Sequence, residues 1–305
     1  MLVILGPTAS GKTQLAVQLA YHLNGEILSA DSRQVYRGMD IGTGKDLSEY
    51  HEKQISYQLI DIVEAGTDYH VFRYQQDFQK ALDDMVQRNK TPILCGGTGF
   101  YIESVLKQHQ FTAIPIDEEF RHNLSEKTDD ELLTLFQQNP SAYSSLADTS
   151  TRKRLIRAIE ISTYLRQHPA VQFPNFVATR LPHYQIFGID LPVEVRRSRI
   201  TYRLHQRLKE GMIEEVKTLL NQGISPEKLI FYGLEYKFVT QYLQGEMPYK
   251  IMVEQLNVAI HQFAKRQMTF FRKMERDGLP IHWLDGTKET AELAREVLLT
   301  LSTQN

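Results

Sequence analysis

The chain opens MLVILGPTASGKTQLAVQLAYHLNG, residues 1–25. Its first five residues are an apolar run ended by glycine and proline, and Leu15, Ala16, Leu19, Ala20 and Leu23 recur at helical spacing until Asn24-Gly25 stops them. Between the strand and the helix lie Gly6, Pro7, Thr8, Ala9, Ser10, Gly11, Lys12 and Thr13. In that spacing the glycines let successive backbone N–H groups turn inward on an anion, while the lysine supplies charge and the threonine hydroxyl a magnesium ligand. The motif predicts a phosphate-binding loop and leaves open which phosphate it holds.

The strand pattern recurs outward from this loop in GEILSADS (25–32), YQLIDIV (57–63), TPILCGG (91–97), YQIFGIDL (184–191) and PIHWLDG (280–286), with helical stretches such as 72–88 between them. Strands alternating with helices imply a parallel sheet with right-handed crossovers, whose ligands sit beyond the carboxyl ends of the strands. The expected fold is α/β, a P-loop NTPase-like parallel sheet core with a helical insertion domain. Residues 1–111 form the first part of the core and 112–180 the insertion, where DEEFRHNLSEK, DDELLTLFQQN and TRKRLIRAIEISTYLRQ read as three helices before the proline-punctuated stretch 168–182. Residues 181–305 return to the core and add C-terminal helices.

The 305 residues carry a formal charge of −2, with 42% hydrophobic and 24% charged residues, which is ordinary for a globular protein. Bulk charge therefore makes no case for a nucleic-acid partner, and any such case is local. The one cysteine, Cys95, excludes an internal disulfide and a multi-thiolate zinc site. No apolar run approaches the ~20 residues of a membrane span, and the first strand leaves no room for a signal peptide. The expectation is a cytoplasmic protein that acts as a monomer away from membranes.

Asp31 falls at the end of the second strand, beside the loop, where a carboxylate serves as a magnesium ligand, a general base or a cap on its own turn. Thr98, in CGGTGFYIES, stands just past another strand and faces the same crevice. A kinase would want an acid ending an apolar strand to hold magnesium; Asp61 is a candidate, but TPILCGG ends without one. Three basic clusters stand out: Arg152, Lys153, Arg154, Arg157 and Arg166; then Arg196, Arg199, Arg203 and Arg207 on one helical face; then Lys265, Arg266, Arg272, Lys273 and Arg276. Against a slightly negative total, they imply a positive surface suited to a phosphate backbone. Tyr36, Phe100, Tyr101, Phe270 and Phe271 are candidates to stack unpaired bases, although at least three of them are expected in the core.

Taken together, GPTASGKT, DSRQVYRGMDIGT, CGGTGFY and AKRQMTFFR resemble, in order and over nearly the whole chain, the tRNA dimethylallyltransferases, which prenylate the adenine next to the anticodon. The resemblance implies that the loop, Gly6 to Thr13, holds the pyrophosphate of dimethylallyl diphosphate. It also implies Asp31 as the base on the adenine amine, and Lys12, Arg203 and Thr13 with Mg2+ as the groups on the departing pyrophosphate. Asp31, Ser32, Arg33, Gln34, Thr98, Arg121, Lys153, Arg154, Arg157, Lys265, Arg266 and Arg272 are implied as tRNA contacts, as is the run Phe231 to Glu235, with the insertion gripping the anticodon stem. The chain departs from the family in reading GKD at 44–46 where alanine-lysine-proline is usual, DTST at 148–151 for HPND, and FYGLEYK for an IGYKE-like run. The alternatives are an adenylate isopentenyltransferase acting on free AMP, ADP or ATP, a P-loop small-molecule kinase, and an RNA-binding protein switched by nucleotide.

Overall fold

A computed structural model describes residues 1–171 and 181–303. Most of the stretch 168–182 thus lies outside the described residues. In chain order the elements are β1 (Leu2–Leu5), α1 (Lys12–His22), β2 (Gly25–Ser29), α2 (Leu47–Glu52), β3 (Tyr57–Gln58), α3 (Val71–Gln87), β4 (Thr91–Gly96) and α4 (Gly99–Leu106). A 3-10 turn (Gln110–Ala113) leads to α5 (Glu118–Ser125), α6 (Asp129–Gln138) and α7 (Arg152–Gln167). The remainder is β5 (Gln185–Asp190), α8 (Val193–Lys209), α9 (Met212–Asn221), α10 (Pro226–Tyr232), α11 (Leu234–Leu243), α12 (Tyr249–Arg276), β6 (Ile281–Asp285) and α13 (Thr290–Ser302).

The strands form one parallel sheet in the order β3-β2-β4-β1-β5-β6. In β1 the side chains alternate between two cores, as the two-residue strand period requires. Leu2 and Ile4 pack with Leu15 and Leu19 of α1 and Leu293 and Val297 of α13. Val3 and Leu5 pack with Tyr74 and Phe78 of α3, Ile102 of α4 and Phe271 of α12. Burial on both faces explains why the strands read as nearly continuous apolar runs. A third core joins α8 to α12 with the segment after β2, through Val35, Tyr36, Ile200, Leu204, Tyr232 and Met252.

One expected strand is shorter than its sequence pattern. YQLIDIV gives only the two residues of β3, because Leu59 (φ 68°) and Asp61 (φ 57°) adopt left-handed backbone that breaks the pleat. Asp61 is held there by Lys45, whose buried ammonium also donates to Tyr36 O at 2.8 Å and pairs with Asp40 at 2.5 Å.

The chain separates into two compact units, Met1–Lys107 with Thr179–Asn305, and Gln108–Ala178. The second holds α5, α6 and α7 around Leu124, Leu132, Leu155 and Ile159. Its N-terminal signals are strong: Asp117 caps α5, a Thr128/Glu131 capping box starts α6, and Thr151 caps α7. DTST thus still starts a helix where HPND is usual. Among the described residues no helix is long and apolar enough to cross a membrane.

Candidate active site

The loop after β1, the turn after β2, the glycines after β4 and the turn after β6 meet at the carboxyl edge of the sheet and line a cleft of about 870 Å³. Gly11, at φ 87°, takes the left-handed conformation that starts α1 after the loop, at no Cβ penalty. Lys12 and Thr13 are the first two residues of that helix, so its positive dipole end faces the cleft. Burial lowers the Lys12 ammonium below its ordinary value, while Asp31 and Asp46 act in the opposite direction. An ammonium so placed gains from an anion entering the cleft.

Asp31 lies on the same cleft as Lys12 and Thr13. Its Oδ1 accepts the Arg33 N–H at 2.9 Å, so the turn-cap role is real. That bond engages one carboxylate oxygen and fixes the ring of atoms from which the other can act. The Thr98 hydroxyl accepts the Ser32 N–H at 3.1 Å, which ties the β4 turn to the residue after Asp31. Ser32 and Thr98 thus hold each other, while Gln34 donates to Gly44 O at 3.0 Å and accepts from Ser29 Oγ at 3.0 Å. Arg33 stacks over Phe231, 5.5 Å from the ring centroid, and donates to Phe231 O at 3.3 Å.

From the other wall α8 presents Arg199, Arg203 and Arg207 to the cleft. The three are not equivalent. Arg207 is buried, pairs with Glu235 at 3.6 Å, and is lowered by burial and by Arg203. Arg199 donates to Gly286 O at 3.2 Å. Arg203 pairs with Asp46, which reaches it from the residue preceding α2. Glu49, in the first turn of α2, also lines the cleft; burial, with Asp46 nearby, raises its carboxyl to about 7, and its Oε2 is buried without a hydrogen-bond partner.

Among the described residues no three His, Cys, Asp or Glu side chains gather into a metal site. A magnesium ion here would take Thr13 and substrate oxygens, with Asp31, Asp46 and Glu49 on the same cleft. Such a donor set suits Mg2+, which keeps several waters and binds through substrate phosphates and one or two carboxylates.

The sequence pattern described as IPP transferase matches residues 34–274. A curated relative from Parabacteroides distasonis, named tRNA dimethylallyltransferase 1, is 51% identical, covering 100% of this chain and 98% of its own length. Another of that name, from Porphyromonas gingivalis, is 50% identical with 100% of both chains covered. The crystal structure of a full-length tRNA isopentenylpyrophosphate transferase from Bacillus halodurans superposes with a TM-score of 0.72 at 29% identity, covering 99% of this chain and 95% of that one. The chain belongs to the IPP transferase family. The α/β fold with its parallel sheet and the prenyltransferase class follow with it.

The remaining residues implied by family resemblance fall into two groups. Lys153 and Arg154 are exposed on α7, Arg154 pairing with Asp148 at 2.7 Å. Arg121 and Arg157 are instead turned onto the buried Glu160: Arg121 donates to both its oxygens at 3.0 and 2.9 Å, and Arg157 pairs with it while donating to Ile114 O at 2.7 Å. On α12, Lys265 and Arg266 are exposed, Arg266 on the cleft, whereas Arg272 pairs with Asp190 at 2.8 Å and lies 3.8 Å from the Trp283 ring centroid. Of the five aromatic candidates, Tyr36, Tyr101 and Phe271 are core, and Phe100 and Phe270 line the cleft. Asp61, paired with Lys45, is absent from the cleft lining, so the kinase-type acid is not where that chemistry needs it.

Sequence reasoning missed Asp46 and Glu49 as cleft residues, although the GKD departure was the signal for the first. It also missed the inward turn of Gln267, buried within a run otherwise read as RNA-facing.

Proposed function

We propose that this chain, as a monomer, transfers the dimethylallyl group of dimethylallyl diphosphate to the exocyclic amine of the adenine adjacent to the anticodon in tRNA, releasing pyrophosphate. The observation that carries the reading is the meeting, in one cleft, of the phosphate loop with Lys12 and Thr13, the carboxylate of Asp31, and Arg203. In the reaction the allylic C–O bond breaks and a C–N bond forms, and the amine loses a proton. Lys12, Arg203 and the loop amides stabilise the charge that develops on the leaving pyrophosphate, the dominant electrostatic contribution. When bound at Thr13, Mg2+ supplies further neutralisation of that charge.

An adenine amine is a poor nucleophile because its lone pair is delocalised into the ring. The Asp31 oxygen not held by the Arg33 N–H accepts one amine proton, which orients the lone pair and takes the proton as the new bond forms. The adenine leaves its stack to reach the cleft, at a cost of a few kcal/mol. Phe100 and Phe270 offer it aromatic faces. The exposed Lys153, Arg154, Lys265 and Arg266 suit the RNA backbone.

The test offers labelled dimethylallyl diphosphate with bulk tRNA, with AMP or ATP, and alone, and offers labelled ATP separately. Label entering tRNA alone supports the reading. Label entering AMP, or phosphate passing from ATP to a small molecule, replaces it with one of the alternatives.

A further inference from the structure

The diphosphate loop and the turn that carries Asp31 come from different strands, and one side chain ties the loop to the β4 turn on which the Asp31 turn rests. Gln267, in the C-terminal half of α12 and only 8% exposed, accepts the Thr8 N–H on Oε1 at 2.9 Å and donates from Nε2 to Gly97 O at 2.9 Å. Gly97 is tight against this amide: a Cβ there would lie 2.6 Å from Gln267 Nε2 and 3.7 Å from Lys12 Cε. From Gly97 the contacts continue without a gap to the base. The Thr98 N–H donates to Ala30 O at 3.1 Å and the Thr98 hydroxyl accepts the Ser32 N–H at 3.1 Å, so both neighbours of Asp31 are held.

We infer that Gln267 is a positioning residue: its carboxamide, acting as donor and acceptor at once, sets the spacing between the leaving-group loop and the Asp31 turn. This rests on the transfer reading above. Only a carboxamide of this length satisfies both partners. Methionine has the length without the hydrogen bonds. Glutamate keeps an acceptor for the Thr8 N–H but turns a second acceptor onto the Gly97 carbonyl, unless it is protonated. Because transfer needs both reactants in one geometry, loosening this bridge falls on the rate of the bound complex more than on its formation. Arg266, the preceding residue, faces the cleft, so the helix that offers cations to the RNA also fixes the loop.

The experiment compares Gln267→Met and Gln267→Glu with wild type in melting temperature, tRNA affinity, inorganic pyrophosphate affinity and single-turnover transfer at saturating substrates. The expected result is a loss in the single-turnover rate of about ten- to a hundredfold in both variants, with tRNA affinity unchanged. For Gln267→Glu the ratio of its rate to that of wild type rises as pH falls from about 8 to about 5.5, while for Gln267→Met it stays flat. Asp31, Asp46, Glu49, Lys12, Arg203 and Arg266 line the same cleft in both proteins, so the ratio cancels the pH dependence the two share. A wild-type rate in Gln267→Met overturns the inference, as does a flat ratio in Gln267→Glu or a loss that tracks only the melting temperature. If wild type itself forms no product, the transfer reading falls instead. Pyrophosphate binding then decides the bridge: weakening of at least about threefold in Gln267→Met supports it, and unchanged binding overturns it.

Discussion

Replacing Asp46 with asparagine removes the carboxylate that pairs with Arg203 at the cleft. Asp46 sits at φ 49°, a left-handed conformation that asparagine adopts as readily as aspartate, so the backbone stays in place. The Arg203 and Asp46 side chains are 27% and 33% exposed, and Arg203 has a second, weaker acceptor in Gly44 O at 3.5 Å. A pair at that exposure contributes about 1 kcal/mol, which a diphosphate must offset in drawing the guanidinium to itself. Removing the pair, and with it a negative charge on the cleft, tightens pyrophosphate binding by roughly three- to tenfold. Titration calorimetry with inorganic pyrophosphate at fixed magnesium measures this, and since pyrophosphate is a product, multiple-turnover transfer slows while single-turnover transfer does not. Unchanged affinity would show that Arg203 does not reach the diphosphate. Weaker binding only when magnesium is present would make Asp46 a metal ligand and reverse the argument.

Asp31→Asn keeps the shape and the hydrogen bond to the Arg33 N–H but cannot take a proton, so single-turnover transfer falls by roughly two orders of magnitude or more with tRNA and pyrophosphate affinities retained; an unchanged rate leaves Asp31 a turn cap only. Arg157→Ala removes a guanidinium from the buried Glu160 and destabilises the helical unit by about 2–4 kcal/mol in thermal melts, whereas Lys153→Ala leaves the melt alone, raises the tRNA KM and flattens its salt dependence. Glu49 is raised to about 7, so between the ordinary carboxyl range and that value the folded protein keeps a proton that the unfolded chain releases, and stability falls as pH rises through the window. Glu49→Gln removes the titration, so its melting temperature gains on that of wild type as pH rises from about 5 to about 8, and parallel curves would show that Glu49 does not titrate there.

Much of this was legible in the chain itself because the signals are local. A strand, a glycine-rich loop and a helix within residues 1–25 set the first βα unit, and fully buried strands announce themselves as apolar runs. The caps that start α5, α6 and α7 sit within three residues of the amides they satisfy. What failed locally was β3, where the pattern of YQLIDIV is that of a strand. It is cut short by Asp61 bonding to Lys45, sixteen residues away, a partner that periodicity does not register.

The same limit governs the charges, and it changes how the cationic stripe is to be understood. Read along α8, Arg196, Arg199, Arg203 and Arg207 are equal members of one face. In the fold their acids arrive from other parts of the chain: Glu235 from α11 onto Arg207, and Asp46 from before α2 onto Arg203. The first pair is the more enclosed, its side chains 10% and 20% exposed, with Glu235 raised and Arg207 lowered by desolvation, so removing either partner strands a charge and damages the fold. The second pair is part exposed and faces the cleft, so its arginine can change partner when an anion enters. The enclosure of the acid partner, rather than the arginine's position in the sequence, therefore separates an arginine that holds the protein together from one that can turn to an anion. By the same reasoning Arg121 and Arg157, paired with a Glu160 side chain only 3% exposed, belong with the first kind, whereas Lys153 and Arg154 stand exposed on α7.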